Sequence, residues 1–137
     1  MALRIERELP SATDEQAKRL RADLLRYWSA GLLPHFHGEG DCLLARLIRR
    51  LDPGDELVRR TTSDHLQLAR LIADLKDGGD SADVLRQFGQ TLRTHIRWEE
   101  SVLFERVQAL FTPNEMAALG ADLEEALPRI EPAPRRP

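Results

Sequence analysis

The sequence predicts an all-α protein: an up-and-down four-helix bundle whose first helix is short, with one further short helix at the C-terminal side. Three observations predict it. Leucine and aromatic residues recur three and four positions apart over long stretches. No stretch alternates convincingly at period two. Gly, Pro and Asp interrupt the helical pattern at a few short segments, and short connections favour antiparallel neighbours.

The elements follow in order. "ALRIEREL" (2–9) is helical in pattern but only about two turns long, marginal on its own. Residues 14–51 read as one long helix, with Leu20, Leu24, Leu25, Trp28, Leu32, His35 and Phe36 on one face. Pro34 is expected to kink that helix or divide it near Gly31, because proline lacks the N–H of the helical ladder. "DPGD" (52–55) is a turn. A helix over Glu56 to Lys76 then turns Leu57, Leu68, Leu71, Ile72 and Leu75 inward. "DGGDS" (77–81) breaks it, with Ser81 as the expected N-cap of the next helix, Ala82 to Leu110. Within that helix Ile96, Val102, Leu103 and Phe104 are expected to be buried. In "TPNE" (112–115), Thr112 caps a last short helix, Pro113 takes its first position and Glu115 completes a capping box. One domain is expected over 1–127, followed by a flexible Pro/Arg tail over 128–137.

Composition narrows the function classes. A chain of 137 residues, 42% hydrophobic and 31% charged, fits one soluble domain with one core. A net charge of −3, with arginine pairs scattered at 49–50, 59–60 and 135–136, gives neither a nucleic-acid nor a membrane surface. Cys42 is the single cysteine, so no intramolecular disulfide forms and a reducing cytoplasm is the expected compartment. "MALRIERELP" lacks the apolar core of a signal peptide, and no apolar run reaches the length of a membrane span. Phosphate loops, Cys-x-x-Cys pairs and nucleophile triads have no signature here.

"THIRWEESVLF" (94–104) sets a physical problem: its apolar face carries His95, Glu99 and Glu100, and buried carboxylates are costly without a positive partner. His35, His65 and His95 stand thirty residues apart, each on a different predicted helix. His35 and His95 are each followed four residues later by a glutamate, Glu39 and Glu99. Four helical residues turn about 400° and rise about 6 Å, so each pair aims an imidazole and a carboxylate the same way. With His65, three nitrogens and two carboxylates could converge on a pair of metal ions. That donor set suits iron, manganese or zinc rather than calcium or magnesium.

A single such pair is more often a surface ion pair, and a lone histidine more often a hydrogen-bonded core residue. Two copies reverse that judgement: "HFHGEGDCLL" and "HIRWEESVLF" share His, apolar, two variable, Glu, three variable and two apolar positions. His37 lies on the opposite helix face from His35 and is expected in solvent. Cys42 shares the face of His35 and Glu39, either as a small core residue or as a thiol beside a redox metal. Phe36 and Trp98 are expected to shield the cluster, and Trp28 and Tyr27 to pack.

With "LLPHFHGEGDCLL", "DHLQLARLIADL" and "HIRWEESVLF", the chain resembles the hemerythrin-like HHE cation-binding domain over about residues 1–127. The resemblance implies a four-helix bundle holding a non-haem di-iron centre, with His35, Glu39, His65, His95 and Glu99 as ligands. Some members use a carboxylate five residues after the last histidine, here Glu100. Helix geometry favours Glu99, since position five is turned about 140° away. The chain also departs from the family. No histidine precedes His35, and matching "LARLIADL" (68–75) to "ALRIEREL" (2–9) places the first-helix counterpart of His65 just before Met1. Thr61 stands where oxygen-carrying members have another histidine, and Gly40 where a second glutamate is common. Gly38 and Gly40 each weaken a helix by up to about 1 kcal/mol relative to alanine. An under-ligated, asymmetric site is the expectation.

The resemblance implies a cytoplasmic di-iron protein that binds or senses O2 or NO, or iron or redox state, with manganese or zinc as the other metals. A di-iron enzyme (peroxidase, oxidase or NO reductase) is the second reading, with Asp64 and Glu100 as its nearby proton donors. A metal-free helical interaction module is the third. The short first helix leaves apolar surface on the other three, which favours a homodimer.

Overall fold

Five helical elements make up the described residues, 1–78 and 81–126, of a computed structural model, and no strand occurs among them. The expected tail over 128–137 and the side chain of Ser81, the expected cap, lie outside the described residues.

Helix α1 (Ala2–Glu8) runs on into a 3₁₀ turn, Leu9–Ser11, that starts where Pro10 can no longer donate. Two turns alone are unstable, so α1 owes its place to packing. Ile5 is buried against Gly89, where a Cβ would come within 3.1 Å of Ile5 Cγ2. Glycine permits that close approach of helices. Arg4 also reaches across to Asp23 at 2.8 Å.

Helix α2 spans 14–47. A reciprocal cap opens it: Thr13 Oγ1 accepts from the Gln16 N–H, and Gln16 Oε1 accepts from the Thr13 N–H. The sequence expectation of a break near Gly31 becomes a wide π turn, Trp28–Leu32, in which the Leu33 N–H reaches back five residues to the Trp28 carbonyl. The widened turn lets the helix continue past Pro34 instead of dividing. A second π turn, Glu39–Leu44, follows.

Helix α3 (Glu56–Lys76) has the expected bounds and buries the expected Leu57, Leu68, Leu71, Ile72 and Leu75. Asp55 caps it by accepting from the Leu57 N–H at 2.9 Å. Gly78, at φ +83°, lets the chain leave it. Helix α4 covers 81–110 and contains a π turn at Glu99–Leu103. That turn corrects one expectation. Ile96, Val102 and Phe104 are 40%, 39% and 43% exposed, and of the expected four only Leu103 is buried. The extra residue in the turn shifts the inward positions to Glu99, Leu103, Val107 and Phe111, four apart. Ile96 sits one residue, about 100°, past His95 and off the inner face.

Helix α5 (Pro113–Ala126) begins with the expected capping box between Thr112 and Glu115. It buries Leu119 and is tied back to α2 by Arg46–Asp122 and to the turn after α2 by Arg50–Glu115. Two apolar clusters result. One gathers Ile5, Leu24, Trp28, Phe36, Ile72 and Phe88; the other gathers Leu43, Leu47, Leu57, Trp98, Leu103 and Leu119. Each fully buried leucine contributes roughly 1.5–3 kcal/mol. None of the described helices is long and apolar enough to cross a membrane.

Candidate metal centre

Polar side chains converge where α2, α3 and α4 meet. Helix α2 supplies His35 and Glu39, α3 supplies His65, and α4 supplies His95 and Glu99. One ligand atom each from Glu39, His65, His95 and Glu99 falls within a group whose members all lie within 4.8 Å of one another. Each glutamate opens a π turn, so the widening of α2 and of α4 begins at the residue that faces the cluster. π turns inside α-helices frequently mark functional positions.

The individual spacings are short. His65 Nε2 is 3.2 Å from Glu39 Oε2, His95 Nε2 is 2.9 Å from Glu99 Oε1, and His35 Nε2 is 2.6 Å from Glu39 Oε1. Nevertheless Glu39 Oε2, His65 Nε2, His95 Nε2 and Glu99 Oε1 are all buried without an aligned hydrogen-bond partner. Buried polar atoms are nearly always satisfied, and each orphan costs about 1–3 kcal/mol. Four orphans in one place, all of them metal-ligand atoms, fit a cation shared among them. The donor chemistry fits as well, since mixed imidazole and carboxylate ligation suits iron, manganese or zinc.

Aromatic rings wall the group. Phe36 stacks on His65 with centroids 3.8 Å apart, and it meets the His95 ring edge-on at 5.9 Å. Trp98 lies 6.1 Å from His95, and the Arg60 guanidinium sits over the Trp98 ring at 5.1 Å. The expected shielding by Phe36 and Trp98 is therefore present.

Protons respond to this crowding. Burial raises the Glu39 carboxyl, but the imidazoles of His35 and His65 outweigh it and bring it down to about 2. Burial, aided by the neighbouring Glu39, raises Glu99 against the pull of His95. Burial lowers His95, but the carboxylates of Glu99 and Asp64 raise it on balance. His35 is raised by its bond to Glu39, against burial. The two carboxyls thus differ: the imidazoles hold Glu39 in its charged form, whereas burial and Glu39 favour the neutral form of Glu99.

His35 is set apart. It is 32% exposed and lies outside the compact group, and among the described residues its ion-pair contact is with Glu39. Glu100 is exposed while Glu99 is buried. His37 is exposed, as expected, and Cys42 is buried within the second apolar cluster, as expected. Thr61 is buried with its hydroxyl donating to the Leu57 carbonyl at 2.8 Å, so its own helix satisfies it. At Gly40 a Cβ would meet nothing within 4 Å.

One residue had a different role in the sequence expectation. Asp64, offered there beside Glu100 as a nearby proton donor, has its Oδ2 at 2.9 Å from Nδ1 of His95, 31 residues away. Adjacency to His65 was the only signal in the sequence, and it does not reveal a partner on another helix.

Comparison with known proteins agrees with this geometry. The sequence model of one family, the hemerythrin HHE cation-binding domain, matches residues 1–107, which contain all of the residues above. Helix α5 lies beyond the matched residues. No curated protein and no solved structure matches the chain.

Proposed function

We propose that this chain, which belongs to the hemerythrin HHE cation-binding domain family, is a non-haem iron protein that binds or senses O2 or NO, or reports iron or redox state. His35, Glu39, His65, His95 and Glu99 would hold the metal. The observation that carries the reading is the set of four buried, unpartnered ligand atoms from Glu39, His65, His95 and Glu99.

Iron, when bound, supplies a redox-active centre with coordination positions left over for a small ligand. The chain's own residues do the rest. Phe36 and Trp98 cover the rings of His65 and His95, an apolar wall that would limit proton supply and favour reversible binding over turnover. Glu39 contacts His35 through one carboxylate oxygen and His65 through the other, and would hold metal together with both. Manganese and zinc satisfy the same donor set.

The test is anaerobic loading with ferrous iron, followed by metal analysis and absorption spectra under argon, air and NO. About two irons per chain, as in other carboxylate-bridged bundles, and a ligand-to-metal band that changes with O2 or NO are expected. Rapid turnover of peroxide or NO would move the assignment to an enzyme. A folded protein that stays colourless and metal-free after loading would leave only an interaction module.

A further inference from the structure

The geometry points to Asp64 as the positioning residue that fixes His95 as a metal ligand; the inference rests on the metal-binding reading above. A neutral imidazole carries one proton on either of two nitrogens, and only the bare nitrogen can ligate. At His95 the two nitrogens face different partners. Nε2 is buried and lies 2.9 Å from Glu99 Oε1 without completing a hydrogen bond, whereas Nδ1 is hydrogen-bonded at 2.9 Å to Asp64 Oδ2. Carboxylate oxygens accept, and of the two nitrogens only Nδ1 completes a hydrogen bond to one, so the geometry places the proton on Nδ1 and leaves the lone pair of Nε2 for a cation.

The brace is itself held. Arg60 Nε donates to the same Asp64 oxygen at 3.4 Å, and its guanidinium lies 5.1 Å from the Trp98 ring. Asp64 also lines a polar groove of about 230 Å³ with Gln67, Gln90, Thr91 and Thr94. Partial hydration from that groove reduces the cost of keeping a charge beside a buried ring. Because Asp64 immediately precedes His65, α3 delivers one ligand and the brace for another. The relative register of α3 and α4 is thereby tied to the cluster.

The other two histidines lack this support among the described residues. His65 is oriented by its stack on Phe36, and His35 is partly exposed and bonded only to Glu39. His95 is therefore the anchoring imidazole of the set. Carboxylate braces on metal-bound histidines typically change metal affinity about 10–100-fold.

Zinc is the probe, measured by competition with a chromophoric chelator in the full chain and in Asp64→Ala and Asp64→Asn. Nitrogen NMR of His95 in the metal-free parent at alkaline pH, where the ring is neutral, reads the tautomer without any variant. The proton is expected on Nδ1. Zinc affinity is expected to fall about 10–100-fold in Asp64→Ala and less in Asp64→Asn, whose amide oxygen still accepts from Nδ1. Asp64→Ala is also expected to lose the Nδ1 preference, which loss of stability alone does not cause. A proton on Nε2 in the parent, or equal zinc affinity in all three proteins, would overturn the inference. A parent without zinc affinity would refute the metal reading itself, and the nitrogen spectrum would still decide whether Asp64 sets the tautomer.

Discussion

Nε2 of His65 stands 3.2 Å from Oε2 of Glu39, and neither atom completes a hydrogen bond. The two residues come from different helices, so whatever satisfies both atoms also joins α2 to α3. A cation bound there would add its binding free energy to folding. At a hundredfold excess over its dissociation constant that is about 2.7 kcal/mol, a rise in Tm on the order of 10 °C for a domain of this size. Thermal unfolding with and without ferrous iron or zinc checks this, and an unchanged Tm would count against the site.

Glu99 is the opposite case in the metal-free protein. It is buried near Glu39, and both burial and that second carboxylate raise its pKa. Replacing a whole buried ion pair is often neutral or stabilising, whereas removing one member is costly when it strands the other; here loss of the Glu99 carboxyl relieves the repulsion from Glu39, and His95 keeps Asp64 as its partner. Glu99→Leu is therefore expected to leave metal-free stability unchanged or to raise it by about 1 kcal/mol, while abolishing the gain on metal addition. Denaturant titration in both states reads the two signs independently.

The metal positions should be unequal. Glu39, His65, His95 and Glu99 share one compact group, whereas His35 lies outside it, pairs with Glu39 and is partly open to solvent. His35→Ala is expected to remove the weaker metal and to leave the tighter one. Glu39→Ala should remove both, and the exposed His37→Ala neither. Metal content across a titration with ferrous iron distinguishes these patterns, and equal retention in all three variants would refute the ligand assignment.

Acid should loosen α1 through Asp23. Burial raises that carboxyl, but hydrogen bonds from Arg4 and Arg26 outweigh it and hold it below its ordinary 3.8. A carboxyl lowered in the folded state contributes stability that is full above its unfolded pKa and is lost as pH falls through the folded value. Asp23→Asn is expected to cost about 1 kcal/mol at neutral pH. The difference from the parent should shrink below about pH 4, which unfolding curves against pH will show.

The bundle was legible in the sequence because its signals are local. The face of α3 from Leu57 to Leu75 and the Thr112–Glu115 cap each follow from residues within a turn or two of one another. The cluster was legible for the same reason, since His-x-x-x-Glu is a helical spacing and two copies mark two helices. What was missed depends on how a turn is wound or on contacts between helices. Val102 and Phe104 were expected inside because 3.6 residues per turn was assumed through Glu99, where the helix widens. The Asp64 brace joins residues 31 apart and has no periodic signature. The Thr13–Gln16 cap was local and readable, but the expectation for α2 began at residue 14.

Anomalous diffraction from crystals of the iron-loaded protein, recorded at the iron absorption edge, locates the metal independently of any activity. A peak is expected among Glu39, His65, His95 and Glu99, with a weaker one toward His35. Fully loaded crystals with no peak between those side chains, or with iron bound elsewhere on the chain, would contradict the assignment.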